Sequence, residues 1–285
     1  MKKIVILSLV AMMCSIDICT ARRFRYTTPE GQINLISYNV RQSGANDGDN
    51  SWEFRRHATI EMMRREAPSV IGLQEAKIDQ VQYIERNMPQ YVRIGVGRDD
   101  GKDAGEMTAI FYLKSRFELL DSGTFWLSET PDRVSRGWDA KYNRTVTWVH
   151  LREKATGSEF YYFNGHLDHK GVKAREESMK LIAAKAIEIA GEKAAVIVGG
   201  DFNALADNPI YAPLNEIMFL TRTVAPVTDN RPTSNAWGRH EGTVIDHLFA
   251  RNIECLEYRT LDGNYGAPYI SDHYPVPVSY THLRA

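Results

Sequence analysis

Between Tyr91 and Asn164 the chain runs through one strand-type segment after another with no helical pattern among them. Tyr91 to Val96, Met107 to Leu113, Thr145 to Leu151 and Glu159 to Asn164 are rich in β-branched and aromatic residues, which suit a pleated surface. A fold that simply alternates strand and helix into one parallel sheet has no place for such a run. Outside it the two types do alternate. Ile33 to Tyr38 and Val70 to Leu73 read as strands. Trp52 to Glu66, with Ser51 as N-cap and Pro68 beyond its end, and Ile78 to Met88 read as helices. Ala174 to Ala190 is the clearest helix, because Met179, Ile182, Ala183, Ala186 and Ala190 share one face. Ala194 to Val198 is continuously apolar, as in a strand covered on both faces. Thr243 to Ala250 and Ile253 to Arg259 are later strands, whereas Ser279 to Ala285 is too polar to read as an apolar closing strand. The expectation is an α/β fold in which two sheets pack together with helices outside.

Composition narrows the class of protein. Charged residues are 25% and hydrophobic residues 43% of 285, which excludes disorder and a multi-span membrane protein. Lys+Arg (35) and Asp+Glu (36) nearly cancel, so charge alone gives no case for nucleic acid. No repeat or Pro/Ser-rich linker divides the chain, and residues 22–285 are expected to form a single domain. Residues 1–21 read as a secretory signal: Lys2 and Lys3 precede the apolar run Ile4 to Met13, and Cys19-Thr20-Ala21 offers small residues for a cut after Ala21. The expected destination is periplasmic or extracellular. A lipid anchor fits less well, because Met12-Met13 and Asp17-Ile18 stand where small residues should precede Cys14 or Cys19. The cut would remove Lys2, Lys3 and Asp17, taking the formal charge from −1 to −2, and would leave Cys255 without an intrachain partner.

Six segments concentrate polar residues at or beside apolar strands. In Val196-Ile197-Val198-Gly199-Gly200-Asp201-Phe202-Asn203 a buried strand ends in two glycines and then presents a carboxylate and an amide. Asp201 suits a water or a metal, and Asn203 a phosphate oxygen. Gly72-Leu73-Gln74-Glu75 ends in a carboxylate suited to a hard cation such as Mg²⁺. Ser37-Tyr38-Asn39 ends in an amide, and Phe163-Asn164-Gly165-His166-Leu167-Asp168-His169 in ionisable groups. In Val244-Ile245-Asp246-His247-Leu248-Phe249 a carboxylate inside an apolar strand demands a partner. His247 should face the opposite side of that strand from Asp246. Ser271-Asp272-His273-Tyr274-Pro275 carries a histidine able to move a proton near neutral pH. Each segment alone has an ordinary structural explanation. Together they are more informative, because one pocket could hold them all.

In that order, Asn39, Glu75, His166, Asp201-Phe202-Asn203, Asp246 and Ser271-Asp272-His273 resemble the endonuclease/exonuclease/phosphatase superfamily, over roughly Ile33 to Val278. Gly97-Arg98-Asp99-Asp100-Gly101-Lys102, Phe125-Trp126-Leu127-Ser128-Glu129-Thr130-Pro131, Gly137-Trp138-Asp139-Ala140 and Ala174-Arg175-Glu176-Glu177-Ser178 are similar to a secreted bacterial branch. The resemblance implies a four-layer α/β sandwich with two mainly antiparallel or mixed sheets flanked by helices. It implies Mg²⁺, with Mn²⁺ as a substitute, held by Glu75 with Asn39 close to it and Asp272 reaching it, directly or through water. It implies that Asp201 and Asn203 orient water and phosphate. Asp246 would pair with His273, which activates the water or stabilises the phosphorane, and His166 would donate to a phosphoryl oxygen or the leaving group. Which histidine is base and which is acid stays open.

Other residues carry two readings. Arg144 either clamps a substrate phosphate or is a surface charge at a strand edge. Arg98 and Lys102, among Asp99, Asp100 and Asp103, read as a solvated loop, and Asp168 and His169 as rim or supporting groups. The expected activity is hydrolysis of a phosphodiester or phosphomonoester. Its substrate would be a small phosphorylated compound, an oligonucleotide or a lipid headgroup, and no obligate protein partner is expected of what should be a monomer. Alternatives are a nuclease, a sphingomyelinase-like lipid phosphodiesterase, a binuclear metallophosphoesterase and a catalytically inactive exported binding protein. No Arg/Lys-rich helix for duplex DNA and no long apolar hairpin for a membrane is evident.

Overall fold

The computed structural model describes residues 28–239 and 241–282. The secretory-signal reading of residues 1–21 therefore lies outside the described residues. The strands are β1 (Gln32–Asn39), β2 (Val70–Gln74), β3 (Tyr91–Ile94), β4 (Ile110–Leu113), β5 (Phe117–Trp126), β6 (Thr145–Glu153), β7 (Glu159–His166), β8 (Val196–Asp201), β9 (Phe219–Leu220), β10 (Asp246–Arg251), β11 (Ile253–Tyr258) and β12 (Val276–His282). The helices are α1 (Trp52–Glu66), α2 (Ile78–Asn87), α3 (Val172–Ala190) and the single turns α4 (Ala212–Asn215) and α5 (Thr221–Val224).

Two six-stranded sheets result, ordered β11-β12-β1-β2-β4-β3 and β5-β6-β7-β8-β10-β9. Both are mixed. β1 runs parallel to β2, and β7 runs parallel to β8. Period-two alternation sorts the strand residues into three apolar layers. Leu35, Val70 and Ile110 meet Leu151, Tyr162, Ile197 and Leu248 between the sheets. The opposite face of the first sheet, with Ile36, Tyr38, Ile71 and Phe111, packs on Ala58, Met62, Val81 and Ile84 of α1 and α2. The opposite face of the second, with Phe163, Val196, Val198 and Phe249, packs on Met179, Ile182 and Ala186 of α3. Helix, sheet, sheet and helix thus form the expected sandwich. Among the described residues no helix is long and apolar enough to cross a membrane.

The structure corrects the sequence reading in three places. β5 is a ten-residue edge strand of the second sheet, although its sequence shows no usable alternation. A register shift between Leu119 and Asp121 breaks the period. β12 continues through Ser279 to His282, pairing with both β1 and β11. Val276, Val278 and Tyr280 face the core between the sheets, and the polar residues between them face the other way. Met107 precedes β4 and makes an isolated bridge to Ala76. Cys255 is free and buried in the inter-sheet core.

Near one rim the space between the sheets turns polar. Asn164 of β7 donates from Nδ2 to Leu73 O at 2.9 Å and to Ala109 O at 3.1 Å, and its Oδ1 accepts from Gln74 Nε2 at 2.7 Å. This buried amide ties the second sheet to the first. Gly200 sits beside it at φ +145°, and a β-carbon there would stand 1.9 Å from Gly165 O on β7. No side chain fits without parting β7 from β8. Gly200→Ala is expected to cost at least about 3 kcal/mol, read as a lower midpoint in urea unfolding. An unchanged midpoint would contradict this packing.

Candidate active site

The site is assembled by strand register. On the second sheet His166 pairs with Asp201 and Asp201 with Asp246, so β7, β8 and β10 present the three in one row. Asn39, at the end of β1, reaches that row from the facing sheet. Its Nδ2 donates to Asp201 Oδ2 at 2.9 Å and to Glu75 Oε1 at 3.1 Å, and its Oδ1 accepts from Arg41 N. Glu75 follows β2 at φ +61°, a left-handed conformation that turns its side chain back toward the row. Its Oε2 accepts from Gln42 N at 3.2 Å.

His273 arrives on the loop before β12. Ser271 Oγ donates to Asn39 O at 2.6 Å, which fastens that loop to the end of β1. Asp272 O accepts from the backbone N–H groups of Asn235 and Ala236. His273 Nδ1 lies 2.8 Å from Asp246 Oδ2, and its Nε2 lies 3.8 Å from Asp201 Oδ2. The carboxylate inside an apolar strand has therefore found its partner. His247 lies on the other face of β10, among Phe202, Tyr211 and Phe249, with Nε2 2.9 Å from Ala204 O.

Arg144 is 4% exposed, so it is not a surface charge. Its Nε donates to Asp168 Oδ2 at 3.3 Å, and its Nη1 stands 2.9 Å from His166 Nδ1 and 3.0 Å from Nε2. Its Nη2 stands 3.1 Å from His169 Nδ1. Asn203, at φ +52°, turns its Nδ2 to within 3.2 Å of His166 Nε2. A guanidinium can only donate, so the His166 imidazole accepts. Arg41, Glu75, Glu106, Tyr142, Arg144, His166, His169, Asp201, Asn203, Asp272 and His273 all line one open cleft.

The two histidines are driven in opposite directions. Burial, Arg144 and Arg98 push the His166 pKa well below its usual value, so that ring is neutral. Burial also opposes a charge on His273, but Asp246, Asp201 and Asp272 together outweigh it and raise its pKa well above the usual value. Asp201 is pushed up by burial and by Asp246. Asp272 is raised by burial and by Glu75, against the pull of His273 and Arg41. The cleft thus gathers several buried carboxylates close to one another. Donor atoms of Glu75, His166 and Asp201 lie within 4.8 Å of one another, and those of Asp201, Asp246 and His273 do the same. A site rich in carboxylate oxygen fits a hard divalent cation.

The Endonuclease/Exonuclease/phosphatase family model matches residues 36–273. The chain belongs to this family of hydrolytic phosphoesterases. Solved relatives agree in fold. An endonuclease/exonuclease/phosphatase from Bacteroides vulgatus is 33% identical with a TM-score of 0.84, covering 88% of this chain and 99% of that one. A mannosyl-6-phosphatase of Bacteroides thetaiotaomicron VPI-5482 is 34% identical with a TM-score of 0.83, covering 87% and 99%. The Ccr4 3'-5'-exoribonuclease subunit of Emericella nidulans is 32% identical over 138 residues, which is 41% of this chain and 20% of that protein.

Glu106, Tyr142 and Arg41 line the cleft without having been singled out in the sequence, where Arg98 reads as solvated. Glu106 follows Gly105 and ends no apolar strand, yet its Oε2 pairs with Arg98 Nη1 and lies 3.9 Å from His166 Nδ1. Burial and Glu75 raise its pKa, against the pull of Arg98 and Arg144. Arg98 is 8% exposed rather than solvated, with its carbonyl accepting from Trp126 Nε1 at 2.7 Å. The charged run around it closes on itself through Gly97 N to Lys102 O, Arg98 N to Glu106 O and Asp99 N to Ala104 O.

Asp168 supports this wall. Its Oδ1 accepts from Lys170 N and Gly171 N at 2.9 Å, and its Oδ2 accepts from Tyr142 N and Arg144 Nε at 3.3 Å. Burial alone would raise its pKa, but these N–H groups and Arg144 prevail and hold it well below the usual carboxylate range. A depressed native pKa stabilises the fold above the unfolded value near about 3.9 and loses that contribution as pH falls through the native value. Asp168→Asn is expected to cost about 2 kcal/mol at pH 7. The deficit should shrink below about pH 4, as read by urea melts across pH. A deficit that does not change with pH would contradict this account.

Proposed function

We infer that this family member is an exported, Mg²⁺-dependent phosphomonoesterase that releases phosphate from a small phosphorylated sugar. The observation that carries the reading is the union, in one cleft, of a carboxylate cluster fit for a divalent cation with the buried Arg144 guanidinium. A phosphomonoester carries one more negative charge than a diester, and two sources of positive charge suit it. The 34% identity to a mannosyl-6-phosphatase, over almost all of that chain, supports the sugar. The leader-like residues 1–21 support export, and cell fractionation is the check.

Glu75 and Asp201 would hold the Mg²⁺, with Asn39 cross-linking their carboxylates and Asp272 beside them. When bound, the ion offsets charge on the phosphoryl oxygens as it builds in the transition state. Arg144, braced by Asp168, directs its guanidinium at the phosphate. Asn203 and the neutral His166 fix the phosphoryl oxygens and the water. Asp246 orients the His273 ring through Nδ1 and keeps it charged, with Nε2–H free to pass a proton to a phosphoryl oxygen or the leaving alcohol. Water adds to phosphorus, the ester P–O bond breaks, and the sugar leaves as an alcohol with a proton.

Steady-state turnover separates the candidates, read as phosphate for the monoesters and as p-nitrophenol, phosphocholine or new chain ends for the diesters. With Mg²⁺, hexose 6-phosphates are expected to be cleaved with higher kcat/KM than bis-p-nitrophenyl phosphate, sphingomyelin, DNA or RNA. A preference for any of the diesters would overturn the phosphomonoesterase reading. Inactivity toward every phosphoester would favour an inert binding protein.

A further inference from the structure

The mechanism above uses part of the polar lining of the cleft and leaves its exposed aromatic ring unused. Tyr142 is 41% exposed and lines the cleft, whereas Arg144, two residues on, is 4% exposed. An exposed phenol ring contributes little to the core, but this one is well held. Its backbone N–H donates to the buried Asp168 carboxylate. The Arg98 guanidinium lies 5.0 Å from the ring centroid, the Lys141 ammonium 5.0 Å and the Arg144 guanidinium 5.9 Å. The His169 ring lies 6.0 Å away and is tilted by 31°. Cations beside an aromatic ring restrain it without burying it. The platform is rigid and wet, which is what a ligand-binding surface requires.

Position supplies the second argument. The Tyr142 backbone is tied to the same carboxylate, Asp168, as the Arg144 guanidinium. A sugar ring has an apolar C–H face that water solvates poorly and hydroxyls that need partners. The phenol ring answers the first need, and Lys141 and His169 beside it answer the second. We propose that Tyr142, flanked by His169, forms the subsite for the sugar ring of the substrate and sets which phosphomonoesters the cleft accepts. The proposal rests on the phosphomonoesterase reading above and goes further by naming the residue that selects the alcohol. Energy gained on this non-reacting part helps to position the phosphate.

The test compares mannose 6-phosphate, glycerol 3-phosphate and adenosine 5'-monophosphate on wild type, Tyr142→Ala and Tyr142→Phe with Mg²⁺. In Tyr142→Ala the ratio of kcat/KM for the sugar phosphate over glycerol phosphate is expected to fall about tenfold, mainly through KM. Tyr142→Phe, which keeps the ring, is expected to keep the wild-type ratio. An unchanged ratio in Tyr142→Ala, including an equal fall on both substrates, would overturn the subsite. A larger loss on the nucleotide than on the sugar phosphate would overturn the sugar as occupant. A wild type that cleaves glycerol phosphate but no hexose phosphate would overturn the subsite alone. One that cleaves no monoester would overturn the phosphomonoesterase reading and the subsite with it.

Discussion

Replacing His273 with alanine is expected to lower kcat by roughly a thousandfold while KM moves little. The side chain lies 2.8 Å from Asp246 and 3.8 Å from Asp201, and it is the group that can carry a proton between those carboxylates and the cleft. The same substitution leaves two buried carboxylates facing each other without the imidazolium between them, so some loss of stability should accompany it. Asp246→Asn separates the two effects. It keeps the shape and removes the charge that orients the ring, so kcat should fall by about a hundredfold or more. Steady-state kinetics beside a thermal melt read both quantities. A folded His273→Ala protein with nearly wild-type kcat would remove this residue from the reaction.

Glu75→Ala is expected to abolish Mg²⁺-dependent turnover, with kcat/KM falling at least about a thousandfold, and to do so without destabilising the protein. Glu75 is partly exposed, sits at φ +61° and adds one more negative charge to a cleft that already holds Asp201, Asp272 and Glu106. Its removal relieves repulsion in the metal-free protein, which is the usual trade between stability and a charged active site. Calorimetric titration with Mn²⁺ should lose its heat signal in the variant. An active Glu75→Ala protein, or one that still binds Mn²⁺ with wild-type affinity, would contradict the assignment of this carboxylate.

The sequence is most legible where a residue's environment follows from its own segment. Val196 to Asp201 is apolar, then glycine, then acid, and each step has a local cause, so both the strand and the emergence of Asp201 at its end can be read directly. Asp246 is equally readable, because a carboxylate in an apolar strand must meet a partner. What local pattern cannot show is the identity of that partner, since His273 comes from a loop 27 residues further on. The family resemblance supplied that pairing. Glu106 and Arg98 were hidden for a related reason. They neutralise each other across a loop, and a loop rich in Asp, Gly and Lys looks solvated until its own backbone hydrogen bonds are seen. Arg144 was ambiguous because its burial depends on Asp168 and the turn into α3. β5 was missed because a bulge destroys the period on which strand recognition depends. The end of β12 was missed because Ser279 and Thr281 lie on the face turned away from the inter-sheet core.

Chelation provides the most direct trial of a divalent ion acting on phosphate at this cleft. Wild-type protein stripped with EDTA and supplied with a hexose 6-phosphate should release no phosphate. Added Mg²⁺ should restore release in saturable fashion, one phosphate per alcohol formed. Full turnover in the presence of chelator, or no phosphate at any Mg²⁺ or Mn²⁺ concentration, would contradict the account.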